Sequence, residues 1–162
     1  MKVAILTASD SRQGQLDKDL SGQVIEEIVQ SYGYEVIKRM VISDDKDELS
    51  ACLRHFSDDL KADLILTTGG TGFSPRDNMP EATLAVIDKQ APGIAQAMLF
   101  NSLQITPKAM LSRAVAGIRK QSLIINLPGS PKAVRENLEY IMPALGHGLD
   151  VLAGNVSECA RK

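Results

Sequence analysis

The stretch Thr67-Thr68-Gly69-Gly70-Thr71-Gly72-Phe73-Ser74-Pro75-Arg76-Asp77 constrains the fold more than any other part of the chain, because it follows the apolar run Leu64-Ile65-Leu66 and precedes a helix start at Pro80-Glu81. A strand that runs into a glycine-rich loop and then a helix is a building unit of open α/β sheets, whose ligands gather at the strands' carboxyl ends. Glycines there accept positive φ and let a ligand approach the backbone N–H groups, which is how phosphates are cradled. The loop therefore reads as an anion site. It is not a P-loop, since no Gly-Lys-Ser/Thr follows, and it lacks the glycine spacing of a dinucleotide fingerprint. A tight glycine turn with solvated Arg76 and Asp77 is the plainer alternative.

The rest of the pattern agrees with an α/β sheet. Val3-Ala4-Ile5-Leu6 is a short apolar run suited to a strand buried on both faces. Val24, Ile25, Ile28, Val29 and Tyr32 recur at helical spacing and predict a helix over residues 20–32, stopped by Gly33. A second strand is expected over 35–41, a helix marked by Leu49, Leu53, Phe56 and Leu60, and a third strand over 63–67. Right-handed crossovers place such helices on both faces of a parallel sheet. Helices are expected over 80–88 and 93–102. Two short strands, 114–118 and 122–126, then flank Arg119-Lys120-Gln121 as a hairpin, which supplies one antiparallel strand. Ser130 and Pro131 suit the N-cap and first position of a last helix. The fold class is thus α/β, a three-layer sandwich with a mostly parallel sheet, in a single domain over residues 1–154 with a short C-terminal tail at 155–162.

Composition matters chiefly for what it excludes. A net charge of −2 gives no broad pull toward nucleic acid or an anionic membrane. The N-terminus enters a strand at once with no signal-peptide pattern, and no apolar run is long enough to span a bilayer, so a cytoplasmic protein is expected. Cys52 and Cys159 are too few and too separated to suggest zinc or a disulfide framework. Cys52 is expected in the core, and His55 and His147 as ordinary surface or packing residues.

The glycine loop resembles the signature of the molybdopterin adenylyltransferase family, which includes the related domain of gephyrin and its plant counterpart. The resemblance continues through Pro80-Glu81-Ala82-Thr83, Ala91-Pro92-Gly93, Ile105-Thr106-Pro107, Met110-Leu111-Ser112-Arg113, Ala116-Gly117-Ile118-Arg119 and Leu123-Ile124-Ile125-Asn126-Leu127-Pro128-Gly129. Upstream, Leu6-Thr7-Ala8-Ser9-Asp10-Ser11 and Asp19-Leu20-Ser21-Gly22 resemble it too. One departure is Asn78-Met79, where many relatives carry valine and threonine.

The resemblance implies the molybdopterin-binding fold, and AMP transfer from Mg-ATP to the terminal phosphate of molybdopterin with release of pyrophosphate. Asp44 and Asp77 match the family's functional aspartates and would hold Mg²⁺ directly or through water; on the residues alone, each could instead be a helix cap or turn residue. Gly69, Gly70, Thr71 and Gly72 are implied as nucleotide-binding. Ser112, Asn126, Pro128, Gly129 and Ser130 are implied as pterin-binding, against the plainer reading of a hydroxyl cap, a strand-end amide, a turn and an N-cap. Ser9, Asp10, Asp19, Ser21 and Arg76 are weaker candidates. The two glycine loops are expected to share an edge and to bind opposite ends of a bipartite substrate. A homotrimer is implied, and a metal-insertion protein as partner. The alternative is a pterin- or nucleotide-binding interaction module of the same fold without turnover.

Overall fold

The computed structural model describes residues 1–155; the tail assigned to 155–162 lies outside them beyond Asn155, as does Cys159. Six strands form one sheet in the order β2-β1-β3-β6-β5-β4. β1 (Lys2–Ala8), β2 (Glu35–Ile42), β3 (Leu64–Thr68) and β6 (Ser122–Leu127) run parallel, β5 (Ala116–Arg119) is antiparallel to β6, and β4 (Lys89–Gln90) is antiparallel to β5. One strand of the six therefore opposes the rest.

Successive side chains of a strand point to opposite faces, and here each set finds its own layer. Val3, Ile5, Leu64, Leu66, Leu123 and Ile125 face α1 (Leu20–Ser31), α4 (Pro92–Leu103) and α5 (Pro131–Leu152), meeting Ile25, Met98, Val134, Leu138 and Ile141. Ala4, Leu6, Ile65 and Ile124 face α2 (Lys46–Asp58) and α3 (Met79–Leu84), meeting Leu49, Leu53, Phe56, Met79 and Ala82. β3 and β6 are buried at every residue, as the unbroken apolar runs require, whereas edge strand β2 is mostly half-exposed. Fully burying one such Leu or Ile is worth about 1.5–3 kcal/mol. Cys52 is half-buried against the second layer, and burial pushes its thiol up to about 11. His55 is exposed and pairs with Asp59 at 2.8 Å, and His147 is exposed.

Two boundaries differ from the sequence reading. The helix expected over 80–88 stops at Leu84, because Val86 and Ile87 turn the chain so that Asp88 N–H reaches Ile118 O at 2.7 Å and β4 begins. Gly117 permits that approach, since a Cβ there would sit 2.8 Å from Lys89 O and 2.5 Å from the Ile87 side chain. β5 starts at Ala116, because the Val115 backbone is taken by Asn126 instead of a ladder partner.

At the opposite edge of the sheet from the glycine loop, Arg119 holds Asp58 through paired contacts of 3.0 and 2.5 Å, with Lys120 at 3.0 Å. These hydrogen bonds bring the Asp58 carboxyl down to about 2. Since the unfolded value is about 3.9, the stabilisation is complete above that value and is lost as pH falls through the folded one. Asp58→Asn should therefore melt earlier than the parent at neutral pH, with the gap closing below pH about 4. A gap that stays constant into acid would assign the loss to packing, not charge.

Candidate active site

The carboxyl ends of β1, β3 and β6 converge, and each supplies a loop. Gly69 (φ 86°) and Gly70 (φ 65°) continue β3 in the left-handed region, where a side chain is strained. Space is equally restrictive: a Cβ on Gly69 would meet Ala8 O at 2.4 Å, and one on Gly70 would meet Asp44 Oδ1 at 3.0 Å. A Cβ on Gly72 would lie 2.9 Å from Asp77 Oδ2. The glycines thus bring two carboxylates down onto the loop backbone. The β6 loop lies against the same place, a Gly129 Cβ falling 3.5 Å from Gly69 Cα. Thr68 Oγ1 donates to Pro128 O at 2.5 Å, and Ser21 Oγ donates to Gly129 O at 2.8 Å, tying three segments together.

Asp44 is half-buried and does not cap α2; Asp45 does, accepting from Asp47 N and Glu48 N. Asp44 and Asp10 instead lock each other: Asp10 N donates to Asp44 Oδ2 at 3.1 Å and Asp44 N to Asp10 Oδ1 at 3.0 Å. Burial raises the Asp44 carboxyl above its ordinary value, and the charges of Asp10 and Asp77 push the same way, against the hydrogen bond from Asp10 and the charge of Arg76. Asp10 is held low by the Arg76 guanidinium, which binds it with two contacts of 2.9 Å. Asp77, also half-buried, closes its own turn by accepting from Ser74 N at 3.0 Å while its N–H reaches Ser74 O at 2.9 Å. It does not cap α3, whose N-cap position is Asn78.

A cavity of about 470 Å³ opens beside the loop between α4 and α5. Thr71, Gly72, Ser112 and Pro128 line it with apolar residues such as Met98 and Leu99. Ser112 is exposed, its Oγ accepting from Ala114 N at 3.3 Å. Ser130 caps α5 through Ala133 N at 3.2 Å.

Two assigned residues stand elsewhere. Asn126, read as pterin-binding, is wholly buried: its Nδ2 donates to Thr67 Oγ1 at 3.0 Å and Thr83 Oγ1 at 2.8 Å, and its Oδ1 accepts from Val115 N at 3.2 Å. Its amide holds strands and α3 together and does not line the cavity. Asp19, likewise buried, caps α1 through Gly22 N, accepts from Thr7 Oγ1 and pairs with Arg39. Ser9 is buried with its Oγ 3.3 Å from Ser11 Oγ.

Arg113 and Asn78 carry no role legible in the sequence. Arg113 Nε donates to Gly72 O and Nη2 to Asp77 O, each at 2.6 Å, Nη1 pairs with Glu81, and its backbone N–H reaches Thr71 O at 2.9 Å. Asn78 Nδ2 donates to Asp44 O at 3.0 Å. Nothing in their spacing marks them, because apart from the Glu81 carboxylate their partners are backbone carbonyls, and all lie at least 32 residues away.

The family described as "probable molybdopterin binding domain" matches residues 4–147. The chain is 40% identical over 162 residues to the molybdopterin adenylyltransferase of Helicobacter pylori, covering 99% of this chain and 92% of that one. It is 38% identical over 150 residues to the Escherichia coli molybdopterin adenylyltransferase, covering 91% and 76%. Among solved structures, the molybdopterin biosynthesis enzyme MoaB of Thermus thermophilus is similar with a TM-score of 0.88 at 42% identity, covering 94% of this chain and 96% of that one.

Proposed function

The chain belongs to the molybdopterin-binding domain family, and from that membership we propose that it is a molybdopterin adenylyltransferase, joining AMP from ATP to the terminal phosphate of molybdopterin and releasing pyrophosphate. The observation that carries this reading is the seating of Asp44 and Asp77 over Gly70 and Gly72, beside a cavity of about 470 Å³. An oxygen of the pterin phosphate attacks the α-phosphorus of ATP, and the bond to the bridging oxygen of pyrophosphate breaks. The nucleophile is already anionic, so the site has little need of a general base; alignment and charge neutralisation carry the reaction.

The residues divide that work. Gly69, Gly70, Thr71 and Gly72 present backbone to the nucleotide phosphates, and the cavity at Ser112 and Pro128 receives the pterin. Arg76, held by Asp10, adds positive charge at the loop's end. Asp44 and Asp77 suit Mg²⁺, a hard cation that takes one or two carboxylates and completes its shell with waters and substrate phosphates. The donor set fits that use: both carboxylates are half-buried over the loop backbone at Gly70 and Gly72, and burial with the charges of Asp10 and Asp77 raises the Asp44 carboxyl, an effect a cation would offset. Bound there, Mg²⁺ would neutralise phosphate charge.

We extend the reading to a cytoplasmic enzyme, since ATP is its co-substrate, and to a homotrimer that passes its product to a metal-insertion protein. The exposed apolar side chains Phe100, Ile105, Met110 and Leu111 on and after α4 support burial against further copies. Light scattering would report the mass. The test of function is single-turnover formation of adenylylated molybdopterin and pyrophosphate, enzyme in excess, with and without chelator. Product is expected only with Mg²⁺. Pterin binding without product in either condition would favour an interaction module.

A further inference from the structure

Resting on the AMP-transfer reading, we propose that Arg113 is a positioning residue that aims the backbone donors of the glycine loop and couples the nucleotide half of the site to the pterin half. The geometry begins with peptide planarity. No peptide bond among the described residues is cis, so each C=O points opposite to the N–H that follows it. Arg113 gathers Thr71 O on its backbone N–H and Gly72 O on Nε. The N–H groups of Gly72 and Phe73 are thereby turned to the other side of the loop, and neither donates a hydrogen bond within the described residues. Two adjacent, undonated N–H groups are what an anionic oxygen needs.

The same guanidinium reaches further. Nη2 takes the main-chain oxygen of Asp77, at the far end of the loop, and Nη1 takes the Glu81 carboxylate on α3. Both ends of the loop and the start of the next helix are thus referred to one planar group. An arginine fork supplies donors in fixed directions, whereas a lysine offers a single ammonium centre that cannot span the three acceptors. The partnership also holds Glu81: burial, the largest influence, pushes its carboxyl up, but the Arg113 hydrogen bond, a backbone hydrogen bond of Glu81 itself and the charges of Arg113 and Lys46 together keep it below the ordinary glutamate value.

Coupling follows from the chain itself. Ser112 lines the cavity, and the next residue is anchored to the nucleotide loop by both its backbone and its side chain. A ligand that orders the cavity rim orders the loop through that anchor, so each ligand should bind better when the other is present, by the same factor in either order.

The experiment measures binding of a non-hydrolysable ATP analogue with Mg²⁺, with and without saturating molybdopterin, in the parent protein and in Arg113→Lys, alongside single-turnover AMP transfer. The parent should show a coupling factor of roughly 5-fold or more. In Arg113→Lys that factor should fall toward one and transfer should drop by about tenfold or more, with pterin affinity alone little changed. Arg113→Met, which keeps the alkyl stem but removes every side-chain donor to the loop carbonyls, should lose the coupling as well and serves as the second variant if Arg113→Lys does not fold. Unchanged coupling in a folded Arg113→Lys protein, or in Arg113→Met if that alone is folded, overturns the proposal, even if melting temperature or turnover falls. A parent that couples its ligands but makes no product would defeat the transferase reading and leave the role of Arg113 standing.

Discussion

Asp77→Asn is expected to cut AMP transfer by roughly 10²-fold or more while leaving the fold intact, the scale of loss seen when one preorganised electrostatic group is removed. The fold should survive because the local contacts of Asp77 do not need its charge. Its carboxylate accepts from Ser74 N, a bond an amide oxygen can accept, and its main-chain N–H and C=O are held by Ser74 and Arg113. What disappears is the negative charge beside Gly72, where Mg²⁺ and the phosphates would meet. Asp44→Asn should be similarly slow and should not melt earlier, since the substitution removes a half-buried charge repelled by Asp10 and Asp77. Loss of activity without loss of stability separates catalytic carboxylates from turn formers. Single-turnover kinetics and a thermal melt measure both, and near-parental turnover in folded Asp77→Asn would return Asp77 to the role of closing its turn.

The parts of this molecule legible in the sequence are those fixed by local pattern. The unbroken apolar run Val3-Ala4-Ile5-Leu6 marked β1 as a strand covered on both faces, the run Leu64-Ile65-Leu66 marked β3 as the strand leading into the glycine loop, and the hairpin between 114 and 126 supplied β6 and the antiparallel member. The glycine loop was legible because positive φ and close approach leave a residue-level trace at Gly69 and Gly70. β4 was not legible: its two residues, Lys89 and Gln90, are exposed and carry no alternation, and they pair only because Gly117 opens room beside β5. Arg113 escaped for a related reason. Three of its partners are main-chain carbonyls, which every residue has, and the fourth, Glu81, lies 32 residues away, so sequence holds no sign of the convergence. Asn126 shows the opposite hazard, a residue in the right motif and at the right strand end whose side chain turns inward.

Asn126→Leu should therefore act through stability, not through direct loss of a pterin contact. The substitution leaves Val115 N–H without its acceptor and withdraws the donor from two buried threonine hydroxyls, Thr67 and Thr83. Each buried polar group so stranded costs about 1–3 kcal/mol, so a loss of about 3 kcal/mol or more is expected. For a domain of this size that lowers Tm by about 6–12 °C, and with typical domain stabilities of about 5–15 kcal/mol the variant should still be folded well below its Tm. Under those conditions its pterin affinity should stay near that of the parent. Ser112→Ala should give the reverse pattern, an unchanged Tm with weakened pterin binding, because its hydroxyl is exposed on the cavity wall and makes one 3.3 Å contact to Ala114 N. Thermal melts paired with calorimetric titration of molybdopterin read both quantities. An Asn126→Leu protein that melts with the parent yet no longer binds pterin would mean that the amide turns out to meet the ligand, and the contact implied by the family motif would then be the correct one.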